Sequence, residues 1–267
     1  MIARRVGRYG FVLQTAARQQ WIYRGELVAR AISMVLFLGI LMALWTTTFG
    51  VSGRSELAGY SLVEVAWYLA MTETIMLSTS RVFVEISEAV KGGDLAYTLS
   101  RPLSYPLYQV ANSLGGTLPR FLLNLLTATF VAAVAVKSTA GSIPGLVAYL
   151  GLAALGLAVD ALIAVLIGLT AFWIEEVQPV FWIYQKLLFT IGGLLLPLDM
   201  FPTELRRVVQ WLPFQFITYG PARAFVAFDP LHVTRIAAGQ VLYIALLATL
   251  VLLVWKRAQR RMVVHGG

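Results

Sequence analysis

The stretch AISMVLFLGILMALWTTTFG, residues 31–50, holds twenty residues without a charge or a proline. No other feature constrains the chain as much. About 20 apolar residues wound into a helix match the hydrocarbon thickness of a bilayer. The run is one of a series. Six segments are read as spans, at about 27–49, 59–80, 146–174, 180–196 and 236–255, with a third in order that begins after Pro106 and is most apolar over 118–136. Barrel strands would instead alternate over about 10 residues. Only 13% of the 267 residues are charged and 59% are hydrophobic, whereas soluble domains carry about 25% charged residues. The expected fold is an all-α integral membrane protein with six transmembrane helices, forming a single transmembrane domain over residues 1–267.

A net charge of +8 would point to nucleic acid in a soluble chain. Here the basic residues gather in loops, so a lipid membrane is the expected partner and nucleic acid is not. With both termini in the cytoplasm, that side receives Arg4, Arg5, Arg8, Arg18, Arg24, Arg81, Lys91, Arg101, Lys256, Arg257, Arg260 and Arg261. The other side receives Arg54, Lys137, Arg206, Arg207, Arg223 and Arg235. Twelve against six predicts a multi-pass protein of the cell (plasma or inner) membrane with N- and C-termini cytoplasmic. Arginines spread through the first twenty residues exclude a signal peptide. Ile2, Val6, Tyr9, Leu13 and Ala16 recur between them at helical spacing, so residues 1–24 are read as an interfacial helix. A plain positive-inside anchor is the competing reading.

Catalytic signatures are missing from the sequence. The lone Lys137-Ser138 pair follows Val136 and lacks a phosphate loop's glycines. The histidines, His232 and His265, stand far apart, with no HExxH and no GxSxG elbow. Gly92-Gly93-Asp94 is a poor match to the GxGD of intramembrane proteases, with no second aspartate motif. There are no cysteines for thiol chemistry or a disulfide framework. No catalytic residue and no metal site is expected.

Two polar stretches interrupt the apolar series. In the first, residues 81–105, Arg81 to Val90 reads as a short helix with Val82, Ile86, Ala89 and Val90 on one face. Gly92-Gly93 ends it, and Asp94 starts a second short helix that stops before Arg101-Pro102. The second stretch, residues 197–230, holds a three-turn helix from Pro202 to Pro213, then an apolar piece over 214–219 that ends at Gly220-Pro221. Each piece is too short to cross a membrane and must be buried in protein.

GDLAYTLSRP in the first stretch resembles the cytoplasmic coupling loop of type-2 ABC exporter permeases. MFP…WLPFQFITYGPA in the second is similar to the extracellular re-entrant helices before their last span. With the surface helix and six spans, the resemblance covers essentially the whole chain. It implies the permease subunit of an ATP-driven exporter, itself non-catalytic. Two cytoplasmic ABC ATPase subunits per complex would hold ATP and Mg, and a second permease subunit, identical or related, would stand beside this one. The contact with the ATPase would be made by Glu88, Lys91, Gly92, Gly93, Asp94, Leu95 and Arg101.

Ionisable groups inside a bilayer are expensive and are functional candidates by default. Glu73, Asp160, Arg120 and Lys186 fall within expected spans. Glu73 and Asp160, with the aromatic residues Trp67, Trp182 and Tyr184, are candidates for a substrate path or a dimer interface. Pairing of Asp160 with Arg120, or snorkelling to the interface, is the plainer reading. Trp21, Tyr23, Trp45, Tyr60, Trp173, Trp211 and Trp255 are read as interfacial anchors. An ion-coupled secondary transporter and a membrane scaffold or assembly factor are the rival functions.

Overall fold

Serine, proline and glycine set where the helices of this chain begin and end. A computed structural model describes residues 2–22, 24–93, 95 and 103–265. In chain order these form α1 (Ile2–Gln20), α2 (Arg24–Ser52), a hairpin of β1 (Glu56–Leu57) and β2 (Tyr60–Ser61), α3 (Leu62–Met76) and α4 (Val82–Lys91). There follow α5 (Tyr105–Val136), α6 (Ile143–Leu169), α7 (Gln178–Ile191), α8 (Thr203–Val209), α9 (Pro213–Ile217), α10 (Tyr219–Val226) and α11 (Pro230–His265).

Local chemistry explains several of these starts. Ser61 and Glu64 form a capping box at α3, with the Ser61 N–H donating to Glu64 Oε2 at 2.8 Å and the Glu64 N–H donating to Ser61 Oγ at 3.3 Å. Ser142 Oγ accepts the Gly145 N–H at the head of α6. Pro106, Pro144, Pro179 and Pro213 sit in the first turns of α5, α6, α7 and α9, where a missing N–H costs nothing.

Among the described residues, four helices are long and apolar enough to cross a membrane: Gly25–Ser52, Tyr105–Val136, Ile143–Phe172 and Pro230–Arg261. The two other expected spans are shorter helices. The 15 residues of α3 and the 14 of α7 cover about 20–23 Å at about 1.5 Å per residue, against a hydrocarbon core of about 30 Å. Residues 56–61, expected at the edge of the second span, fold instead as the hairpin. Its turn residues Ala58 and Gly59 both take positive φ, as a tight two-residue turn demands.

The bundle is organised around α6, whose most apolar stretch is 61% buried against 17–28% for the other three long helices. α11 and α4 pack along it, α1 lies along α5, and α3 fills the space between α2, α5 and α10. One end of the bundle, the hairpin end, carries the hairpin and α8 to α10. The opposite end carries α4 and the loop before α7. The main core runs through Met34, Leu38, Tyr68, Leu69, Tyr149, Leu157 and Leu188. A second core at the α4 end gathers Val82, Ile86, Leu95, Tyr105, Leu169 and Trp255.

The second polar stretch departs in detail from expectation. The helix from Thr203 ends at Val209 rather than at Pro213, and Pro213 starts α9 instead of stopping its predecessor. Gly220-Pro221 does not end a helix but lies in the first turn of α10, where proline is tolerated.

Candidate functional site

The first expected site lies at the tip of α4. Its apolar face, Val82, Phe83 and Ile86, is buried against α6. Gly168 of α6 permits that approach. A Cβ there would stand 2.9 Å from Ile86 Cβ and 3.0 Å from Phe83 Cα. Phe83 also stacks on Phe181 of α7, with centroids 3.9 Å apart and planes 16° from parallel. The apolar face of α4 is thus wedged between two other helices.

The other face is free. Glu88, Lys91, Gly92 and Gly93 are all exposed. The Gly92 N–H donates to the Glu88 carbonyl at 2.8 Å, and Gly93 then turns the chain with φ of 74°, a conformation that glycine alone adopts without strain. Lys91 Nζ pairs with Glu176 Oε1 at 2.8 Å, tying the helix end to the loop before α7. At its middle, Glu85 Oε2 accepts from Asn112 Nδ2 of α5 at 3.0 Å. Asp94 and Arg101 lie outside the described residues, as does most of the second short helix expected after Asp94. Leu95 is only 5% exposed and belongs to the core with Ile86 and Tyr105. It anchors the turn rather than facing outward, because its apolar side chain has a greasy pocket to fill.

The expected path residues divide into two groups. Trp67, Glu73, Asp160 and Tyr184 are buried, whereas Trp182 is 58% exposed on the outer side of α7. Tyr184 donates to Asp160 Oδ1 at 2.6 Å, so the Asp160 partner is a tyrosine and not Arg120. Arg120 instead donates from Nε to Gln20 Oε1 at 3.0 Å and from Nη1 to the Thr79 carbonyl at 3.4 Å, holding the end of α1. Trp67 is enclosed, its Nε1 donating to the Ser138 carbonyl at 2.9 Å and its ring facing Phe225. Glu73 is 1% exposed, and its Oε1 has no hydrogen-bond partner among the described residues.

Beside this group the helical bonding of α7 stops at Gly192, and the carbonyls of Gly192, Gly193 and Leu194 are met by side chains. Tyr68 donates to the Gly193 carbonyl, Thr72 to Leu194 at 3.3 Å and Thr218 to Gly192 at 2.6 Å. Buried irregular backbone persists where side chains satisfy its polar groups in this way.

A third cluster, centred on Asp199, was not legible in the sequence. Its Oδ2 accepts from Tyr60 Oη at 2.6 Å, Tyr219 Oη at 2.8 Å and Arg223 Nε at 3.2 Å, while Oδ1 accepts from Arg206 Nη2 at 2.7 Å. One carboxylate therefore joins the hairpin, α8 and α10. Burial alone would raise its pKa; the two tyrosine hydrogen bonds and the two guanidinium charges outweigh that and hold it below the ordinary carboxylate range. Three expected anchors are core residues too. Trp45 is buried, Tyr60 binds Asp199, and Trp255 stacks on Tyr105 at 4.9 Å, while Trp21, Trp173 and Trp211 are exposed.

Comparison with known proteins gives the arrangement its family. The model of the ABC-2 family transporter proteins matches residues 31–266, from within α2 to the end of α11. No curated protein matches the chain. A match of that extent, on a bundle of long apolar helices, shows that this multi-pass membrane protein belongs to the ABC-2 family of transporter proteins, as a permease.

Proposed function

We propose that the chain is the membrane subunit of an ATP-driven exporter, powered by ATPase subunits on a separate chain and paired with a second permease, identical or related. The observation that carries this reading is the tip of α4. Its Glu88, Lys91, Gly92 and Gly93 are exposed on a helix locked to α6 and α7 through Phe83, Ile86 and Gly168. Force applied at such a tip reaches the bundle instead of bending a loop. The chain has no phosphate loop of its own, so ATP and Mg belong to the partner. The lysine and arginine distribution supports a reading in which α4 and both termini face the cytoplasm from the cell membrane.

In this reading α3 and α7 complete six crossings, each continued by short non-helical backbone. The Tyr68, Thr72 and Thr218 hydrogen bonds support the α7 half of that reading, because they remove the main cost of such a break. Asp160, Tyr184, Glu73 and Trp67 sit inside the bundle, where helix shifts during transport would be felt, and exposed Trp182 is placed for the second permease. The residues numbered 94 and 101 join the contact only by resemblance.

The test is purification of the tagged chain from its native membrane in mild detergent, with stoichiometry of what accompanies it. An ATPase chain at one copy per permease supports the proposal, and Gly93→Val should then separate ATP hydrolysis from transport. Repeated absence of an ATPase, or full transport by Gly93→Val, overturns it. An ion-coupled carrier is the second reading, favoured by the buried Glu73 oxygen that has no partner among the described residues. Transport driven by an ion gradient without ATP would select it.

A further inference from the structure

A cavity of about 680 Å³ opens at the hairpin end, between α8 to α10 and the first turns of α11. Its rim is cationic. Arg206, Arg223 and Arg235 line it beside Asp229 and His232. Arg206 and Arg223 share the single carboxylate of Asp199. The Asp229 oxygens accept the backbone N–H groups of Leu231 and His232 at 3.0 and 3.3 Å. Neighbouring Arg207 is matched by Glu204. Three arginines thus face two carboxylates, and exposed Arg235 forms no ion pair among the described residues.

The same cavity has apolar lining as well, with Phe216, Ile236, Leu242 and Tyr243. From Arg235 to Leu242 is seven residues, about 10 Å along α11. The charged rim therefore lies near the start of a helix long enough to cross a membrane, and the apolar part lies farther along it. Leu242 and Trp211 are exposed, so an apolar chain could reach the cavity from the side of the bundle. The walls are fixed rather than loosely apposed. Gln240 Nε2 donates to the carbonyls of Leu152 and Phe216 at 2.8 and 2.7 Å, Tyr243 donates to the Trp211 carbonyl, and the Phe216 ring occupies the space a side chain at Gly239 would need.

We propose that this cavity binds one anionic amphiphile, its phosphate or carboxylate headgroup on Arg235 and its chain over Phe216, Leu242 and Tyr243. Charge order and apolar order run along the same helix in the sense such a molecule requires. A resident bilayer lipid and a transported cargo share this chemistry. The binding test needs only the purified full chain, so it stands or falls apart from the transport reading.

Native mass spectrometry in detergent would compare dioleoylphosphatidylglycerol, dioleoylphosphatidylcholine and glycerol 1-phosphate as probes. One phosphatidylglycerol should remain bound per chain. Arg235→Gln should weaken its retention about tenfold, as expected for one charge-assisted hydrogen bond, and Leu242→Trp should weaken it by filling the chain site. Both variants alter exposed positions, and an unchanged thermal midpoint would show that the fold is intact. Equal retention by wild type and both variants overturns the proposal, as does retention of phosphatidylcholine or glycerol 1-phosphate as strong as that of phosphatidylglycerol. In a complex turning over ATP, loss of the bound molecule marks a cargo and unchanged occupancy marks a resident lipid; either result upholds the site.

Discussion

Tyr184 of α7 donates a hydrogen bond of 2.6 Å to Asp160 Oδ1 of α6, with both side chains buried. Removing the hydroxyl leaves a buried carboxyl without that donor, which costs about 1–3 kcal/mol. Tyr184→Phe should therefore lower the thermal midpoint of the detergent-solubilised protein, while Phe at exposed Trp182 should leave it nearly unchanged. Equal midpoints for Tyr184→Phe and wild type would remove the pair from any stabilising role.

Asp199 offers a test against pH. Its carboxyl is held below the ordinary range, so ionised Asp199 adds stability that is complete above the unfolded value, about 3.9. That stability is lost as pH falls through the lower, folded value. Asp199→Ala should cost about 2 kcal/mol at neutral pH through the unpaired arginines and tyrosines. It should also flatten the acid limb of a stability-versus-pH curve. A wild-type acid limb that survives in the variant would assign the effect to other groups.

Lys91 and Glu176 are exposed, and surface pairs of this type contribute less than about 1 kcal/mol. Lys91→Ala should leave the thermal midpoint within the error of measurement. If α4 meets an ATPase, the same variant should reduce ATP-dependent transport. Unfolding traces and transport assays on one preparation separate the two effects, and full transport would remove Lys91 from the contact.

At Gly168 the constraint is steric. The extra methyl of Gly168→Ala meets the Ile86 Cβ and the Phe83 backbone below normal contact distance, and overpacking of this kind costs about 1–3 kcal/mol. The thermal midpoint should fall, and α4 should become accessible to limited proteolysis near Lys91. An intact, equally stable variant would show that α4 and α6 can separate freely.

Hydropathy read the membrane class and the four long helices without help from the structure, because twenty apolar residues have few other solutions. It overstated α3 and α7 because it reports composition and not hydrogen bonding. Gly192, Gly193 and Leu194 are as apolar as a helix yet bond through Tyr68, Thr72 and Thr218. Gly92-Gly93 was legible as the end of α4 because glycine's backbone freedom is local chemistry. Asp160 and Tyr184 were each named, but not as a pair, since 24 residues separate them. Asp199 was invisible for the same reason. Its partner Tyr60 lies 139 residues away, and an aspartate in a proline-rich loop looks like any solvated turn residue.

The carbonyls after α7 have a mechanical consequence. They borrow their donors from two neighbours, two from α3 and one from the junction of α9 and α10. Pulling either neighbour away would strand bare carbonyls with no water to replace the lost partner. Separating these segments would therefore cost more than separating helices that meet only through apolar side chains.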